Sequence, residues 1–186
     1  MQIIGITGTI GAGKGTIVDY LIQQYDFRHY SVRGYLTEEI KRRQLPVNRD
    51  SMVIIANDLR ANHCPSFIID ELYQEALQEG KNAIIESIRT PGEVDSLRQK
   101  GDFVLLAIDA KPEIRYERIV SRNSETDQIS FQTFLENEKR EMETEDPNKQ
   151  NLSVCIQCAD YVLVNDGDFE ALYQQIKQIM NDLHVS

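Results

Sequence analysis

The sequence predicts an α/β domain built on a parallel β-sheet, and three observations select that class. Short apolar runs alternate with longer segments that carry helical stripes. Several of the runs are apolar almost throughout, as strands covered on both faces of a parallel sheet are. Between the first run and the first stripe lies a glycine-rich turn containing a lysine, Gly8-Thr-Ile-Gly-Ala-Gly13-Lys14-Gly15-Thr16. Strands and helices in alternation imply parallel pairing through right-handed crossovers.

The elements follow in order. Gln2–Thr7 reads as the first strand, and Ile17, Leu21 and Tyr25 repeat at four residues to mark the first helix. Arg28–Ser31 is the second run. In the segment from Ser66, Ile68/Leu72/Ala76 and Ile69/Tyr73/Leu77 form paired stripes, and Gly80 stands where a helix stop belongs. Asn82–Glu86 and Phe103–Asp109 are the third and fourth runs, and Pro112 fits the first turn of the helix after the fourth. The stretch 131–146 carries charges on most faces and predicts a solvated, mobile helix. Asn151–Ala159 reads as a short helix, and Tyr161–Asn165 as the fifth strand. Phe169, Leu172, Tyr173, Ile176, Ile179, Met180 and Leu183 line one side of a final helix with Asp168 as its N-cap.

At 186 residues the chain fits one domain, and no repeat or Pro/Gly-rich linker divides it. Folding at this size buries roughly 70% of the unfolded surface, so neither disulfide nor metal staple is required. Twenty Lys and Arg against thirty Asp and Glu give a net charge of −10, which argues against nucleic-acid and membrane-surface partners. The longest uninterrupted apolar run, Phe103 to Ile108, falls far short of a membrane span. The amino terminus lacks a basic region followed by a long apolar core, and three cysteines suit a reducing compartment. A cytoplasmic monomer or homodimer is the expectation.

The glycine-rich turn matches GxxxxGK between a strand and a helix, the context in which that pattern cradles phosphate. Gly8, Gly11, Gly13 and Gly15, with Ala12 between them, let backbone N–H groups approach phosphate oxygens. The helix starting near Lys14 adds its positive dipole end, and Lys14 supplies an ammonium that can follow charge between phosphates. Gly15 occupies the position after the lysine where a Ser or Thr metal ligand usually stands, and Thr16 follows. The guanine-reading NKxD and the DxxG of common GTPases are missing from suitable places. Glu86 ends the third run, where a carboxylate can orient hydrated Mg²⁺, and Arg89 follows at the edge where open α/β sheets bind ligands. Arg115, Arg118 and Arg122 recur at three and four residues on one helical face, a set that phosphate would satisfy.

Three of these segments carry a resemblance. The GKGT ending of the loop resembles the adenylate-kinase branch of phosphate-loop (P-loop) proteins. Ala83-Ile-Ile-Glu86-Ser87-Ile88-Arg89-Thr90-Pro91 resembles their DGFPRT segment, and Ala159-Asp-Tyr-Val-Leu-Val-Asn165-Asp166-Gly167 resembles the ADxVIxNxG stretch of dephospho-coenzyme A kinases. The chain as a whole looks like a P-loop nucleoside monophosphate kinase, nearest to dephospho-coenzyme A kinases, deoxynucleotide monophosphate kinases of phage type and archaeal adenylate kinase-related proteins.

The resemblance implies a five-stranded parallel sheet in the order 2-3-1-4-5, flanked by helices, and ATP with Mg²⁺ as cofactors. It also implies transfer of the γ-phosphoryl group of ATP to a nucleoside or deoxynucleoside monophosphate. The loop from Gly8 to Thr16, Arg118, Asn165 and Gly167 would hold ATP. Thr16 and Glu86 would hold Mg²⁺ largely through water. Lys14, Glu86, Arg89, Arg118 and Arg122 would carry catalysis. The acceptor region would span about 31–70, with Ser31, Arg33, Asn57, Arg60 and Arg89 as contacts and Arg49 and Asp58 close by; the lid would span about 115–145. The TGDxLR of adenylate kinases is absent near the second strand, which leaves the acceptor open. A hydroxyl acceptor, as in dephospho-coenzyme A kinases, and a non-catalytic nucleotide-sensing module are the alternatives. His63, Cys64, Cys155 and Cys158 could in principle form a zinc site, but one CxxC is a weak signal and packing is the expected role of these cysteines.

Overall fold

The computed structural model describes residues 1–122, 129–142, 144–146 and 149–185, with the side chain of Arg49 outside the description. Residues 123–128 of the expected lid, and Glu143, lie outside it as well. In chain order the elements are β1 (Ile3–Gly8), α1 (Lys14–Tyr25), β2 (Arg28–Ser31), α2 (Val32–Arg42), α3 (Arg49–Asn62), α4 (Phe67–Glu79) and β3 (Ala83–Glu86). There follow α5 (Pro91–Arg98), β4 (Phe103–Asp109), α6 (Pro112–Ser121), α7 (Phe131–Met142), α8 (Leu152–Gln157), β5 (Tyr161–Val164) and α9 (Phe169–Asp182).

The strands form one sheet in the order β2-β3-β1-β4-β5, every pair parallel, as expected. All six residues of β1 are buried. Its consecutive residues feed opposite cores, as the two-residue period of a strand requires. Ile3 joins Ile85 and Leu105 against α2 to α5 and α8, with Leu36, Ile68, Val94 and Cys155. Ile4 and Ile6 join Ile84, Leu106 and Ile108 on the other face, against Ile17 and Leu21 of α1 and Leu172 and Ile176 of α9.

The punctuation read from the sequence operates as expected. Gly80 takes the left-handed conformation at φ 67° and its N–H bonds Ala76 O, ending α4. Asp168 accepts from Ala171 N at 2.8 Å and starts α9. β1 runs to Gly8, one residue beyond the predicted end, because it keeps its register with β4 up to Ile108. At the outer edge of the sheet, Gln175 of α9 accepts from Val164 N at 3.2 Å and donates to Val164 O at 3.1 Å.

α7 departs from the solvated helix expected. Phe134 is fully buried against Tyr116 and Phe131, and the Arg115 guanidinium lies 5.4 Å over its ring. Glu138 pairs with Arg115, and Glu141 with Arg89. The charges that made the helix look solvated are in part inward-facing partners of the buried Arg115 and the half-buried Arg89.

The largest correction concerns Arg60. It is buried, not exposed to an acceptor, because Glu93 takes its guanidinium through Nη2 at 2.9 Å and Nε at 3.3 Å. The other Glu93 oxygen accepts from the backbone N–H groups of Arg89 (2.7 Å) and Thr90 (3.0 Å), while Thr90 Oγ1 accepts from Glu93 N, completing a capping box ahead of Pro91. Arg60 thus fixes the backbone of Arg89 through Glu93. Among the described residues no helix is long and apolar enough to cross a membrane.

Removing one partner strands a buried charge, so Glu93→Ala is expected to cost about 3–5 kcal/mol of stability. Arg60→Met/Glu93→Leu should cost less than Glu93→Ala alone. Equilibrium urea unfolding of the three chains checks the order.

Candidate active site

The site is assembled at the carboxyl ends of β1, β3, β4 and β5. Leaving β1, the chain passes through Gly8, Gly11 and Gly13 at φ 130°, 79° and 98°. Crowding also requires glycine at all three: a side chain on Gly8 would run into Ile108 O, one on Gly11 would meet Arg115 O at 2.5 Å, and one on Gly13 would run into the Asn165 amide. Gly13 is the N-cap of α1 and makes no side-chain cap; Thr16 N–H bonds Gly13 O at 3.1 Å, and no side chain covers the start of the helix, which leaves it open to an anion. Gly15 is exposed with open space around it, and Thr16 is half-buried in the first turn.

Lys14 folds back over its own loop, donating from Nζ to Gly8 O at 2.8 Å and Thr9 O at 2.7 Å. Burial, with the positive charge of Arg89 added, lowers its pKa to about 7, against the opposing pull of Glu86 and Glu141. Arg122 also contributes to its field, so the P-loop lysine, Glu86, Arg89, Arg122 and Glu141 share one locale. Arg122 is itself exposed at the end of α6.

Glu86 ends β3 in register with Ser31 of β2. The His29 ring, 3.7 Å from Oε2, and the Ser31 hydroxyl, 3.2 Å from Oε1, together with Lys14, hold its carboxyl below the usual range. Ser31 also accepts from Gly34 N as the cap of α2, so its hydroxyl serves the carboxylate and the helix start. Beyond Glu86 the chain turns sharply at Ser87, φ 67°, and Ile88 is fastened to β1 through Ile88 N to Ile6 O and Thr7 Oγ1 to Ile88 O. Arg89 Nη1 then donates to Gln150 Oε1 at 2.6 Å and Glu141 Oε2 at 3.2 Å.

The arginines of α6 diverge in use despite their common face. Arg115 is buried and consumed, its Nε on Ala110 O at 2.7 Å and its Nη1 on Ile10 O at 3.3 Å and Glu138. It buttresses the P-loop. Arg118 donates from Nη2 to Asn165 O at 2.9 Å, while its Nη1 is buried without a hydrogen-bond partner. Asn165 is a second buttress: its amide donates to Ala12 O at 2.8 Å and its N–H bonds Asp109 O, tying the loop to β4 and β5. Gly167 lies in the turn that follows.

Of the expected acceptor contacts, Arg33 is exposed on the first turn of α2, and Asn57 is half-buried on α3. Asp58 is taken by Arg43 at 2.6 Å. Glu93, Asn151, Glu141 and Gln150 were missed. The Thr90-Pro-Gly-Glu93 pattern would have revealed Glu93 as a helix-start residue; no spacing announces the other three. Cys64, Cys155 and Cys158 are unbridged, and burial pushes the Cys155 thiol up to about 12, away from the thiolate a metal needs. Among the described residues no three His, Cys, Asp or Glu side chains gather closely enough to cage a metal ion. The oxygens of Glu86, an ionised carboxylate, and Thr16 are the hard donors that suit Mg²⁺ shared with nucleotide phosphates, so these residues fit that ion.

The fold and the loop define a P-loop domain with the sheet order of the P-loop kinase fold. Shikimate kinase from Aquifex aeolicus superposes with a TM-score of 0.59 over 100% of this chain and 99% of its own, at 12% identity, a likeness of fold alone. A UPF0200 protein of Methanococcus maripaludis strain C6 is 30% identical over 98% of this chain and 94% of its own, and one of Methanococcus vannielii is 28% identical over 98% and 97%. The family described as AAA domain matches residues 4–146. The chain therefore belongs to the AAA domain family and, with these relatives, to the UPF0200 proteins.

The lowered pKa of Lys14 gives a signed expectation. Below pH 7 the ammonium is charged in the empty protein; above it the neutral form grows, whereas bound phosphate favours the charged form. Nucleotide binding at pH 8 should take up protons, and affinity should fall as pH rises from 7 to 9. Calorimetry in buffers of differing ionisation enthalpy measures both, and Lys14→Met should abolish the uptake.

Proposed function

We propose that the protein is an ATP-dependent phosphotransferase that moves the γ-phosphoryl group to a small nucleotide-type acceptor, a nucleoside or deoxynucleoside monophosphate. One observation carries this reading: Lys14, Glu86, Arg89 and Arg122 converge beside a P-loop whose helix N-terminus is open to an anion. A pure binding module needs the loop and the lysine. It has no need of a guanidinium held at the end of the neighbouring strand.

Phosphoryl transfer asks the protein mainly for in-line positioning and charge neutralisation. Loop N–H groups and the Lys14 ammonium take the β- and γ-oxygens of ATP. Lys14 leaves Gly8 O and Thr9 O to do so. Arg89 holds the acceptor phosphate, with its backbone set by Glu93. As the acceptor oxygen bonds to the γ-phosphorus, the bridging bond breaks and ADP departs. Arg118 and Arg122 close on the donor side. Thr16 and Glu86 would hold Mg²⁺, largely through water, and the ion would supply neutralisation of phosphate charge. Ser31, Arg33 and Asn57 border the acceptor within region 31–70, and residues 115–145 act as the lid. A phosphate acceptor is already an anion and needs no strong base.

A hydroxyl acceptor would need a base, and Glu86, an ionised carboxylate held by Ser31 and His29, is the carboxylate at hand.

The test is incubation with ATP, Mg²⁺ and a panel of mononucleotides, dephospho-coenzyme A and shikimate. ADP formed with one monophosphate alone supports the proposal; tight ATP binding without acceptor-dependent ADP defeats it in favour of a sensor. In the active pairing, Lys14→Met should lower kcat by about 100-fold or more, the scale of one lost transition-state contact. Arg89→Ala should raise KM for the acceptor by about tenfold or more while altering that for ATP less.

A further inference from the structure

The face that α7 turns inward is acidic, and it meets the cations of the site. Glu138 and Glu141 are three residues apart, so they share one side of the helix. Glu138 pairs with Arg115, the guanidinium that braces the P-loop. Glu141 reaches Arg89 Nη1 at 3.2 Å, where Gln150 Oε1 also accepts at 2.6 Å. Asn151 N bonds Arg89 O at 2.8 Å, so the segment after α7 holds the backbone of the same arginine. The negative charge of Glu141 also favours the charged form of Lys14. A carboxylate and a terminal phosphoryl group present similar oxygens to a guanidinium and an ammonium, and the two cannot share the space.

On its inward side α7 does not close fully onto the loop. A cavity of about 620 Å³ opens between α7, the end of β4 and the P-loop, with Leu135 and Met142 on one wall and Thr9, Asp109 and Ile156 on the others. Phe134 and its neighbours anchor the helix at its first turns, whereas Glu141 sits at its far end. Displacing Glu141 requires a shift of that far end and leaves the aromatic anchor in place.

We propose that Glu141 is an autoinhibitory latch: in the empty protein its carboxylate pairs with Arg89 beside the P-loop lysine, where the phosphates of donor and acceptor would meet, and nucleotide must displace it to bind. The latch keeps the cations paired, and its release frees Arg89 for the acceptor only once the donor has arrived. This rests on the phosphate-binding reading of Lys14 and Arg89.

The experiment is calorimetric titration of the full chain with ATP and Mg²⁺, for the native sequence, Glu141→Gln, Glu141→Ala, Glu136→Gln and Lys14→Met, with circular dichroism to confirm folding. Glu136 is exposed on the same helix and controls for the loss of one negative charge. Binding about tenfold tighter in both Glu141 variants, with Glu136→Gln unchanged, is the expected result. Equal or weaker binding in the Glu141 variants, or equal tightening in Glu136→Gln, overturns the latch. If the native chain binds ATP and Lys14→Met does not, such a failure leaves the phosphate site standing. Absence of ATP binding in every folded chain overturns both readings, whereas binding by the Glu141 variants alone supports the latch.

Discussion

Five parallel strands joined by crossovers bring their carboxyl ends to one edge, where the backbone must leave the sheet with its polar groups unpaired. At β1 that constraint is met by a loop of positive-φ glycines opening directly into α1, whose N-terminus carries no side-chain cap. Almost every neighbouring feature answers the need to hold this loop. Asn165 from beyond β5 ties down Ala12 O, Arg115 from α6 takes Ile10 O, and Lys14 fills the centre when no anion does. The loop is flexible in sequence and braced in space.

What the sequence revealed was local. Gly8 to Thr16 could be read because strand, glycines, lysine and helix adjoin in the chain, and the stripes of α9 could be read because its core contacts repeat within four residues. Arg60 misled because its partner is 33 residues away on another helix. Nothing at the level of spacing separates an arginine waiting for phosphate from one neutralised by Glu93. α7 misled for the same reason: Glu138 and Glu141 look like solvent-facing charges until Arg115 and Arg89 are brought beneath them. Long-range charge pairing is what a linear reading loses first.

The net charge of −10 is compatible with a local cationic site once location is considered. Arg89, Arg115, Arg118, Arg122 and Lys14 gather near one end of the sheet, with a helix N-terminus beside them. Low-dielectric walls strengthen that local field, while the acidic exterior repels extended polyanions. Burial of the cations has a cost, visible in Lys14, whose ammonium is held with a pKa near 7. Pairing with Glu138 and Glu141 limits that cost in the empty protein.

The bond between Gln175 and β5 has a consequence away from the site. β5 is an outer strand, and its exposed Val162 and Val164 make it a template for another strand. By giving both an acceptor and a donor to Val164, the Gln175 amide stands in for the peptide group of a missing sixth strand. One side chain blunts the end of the edge next to Asn165, so that crowded copies of the chain have less exposed backbone on which to polymerise. The protection of this edge thus comes from the helix that also closes the second core.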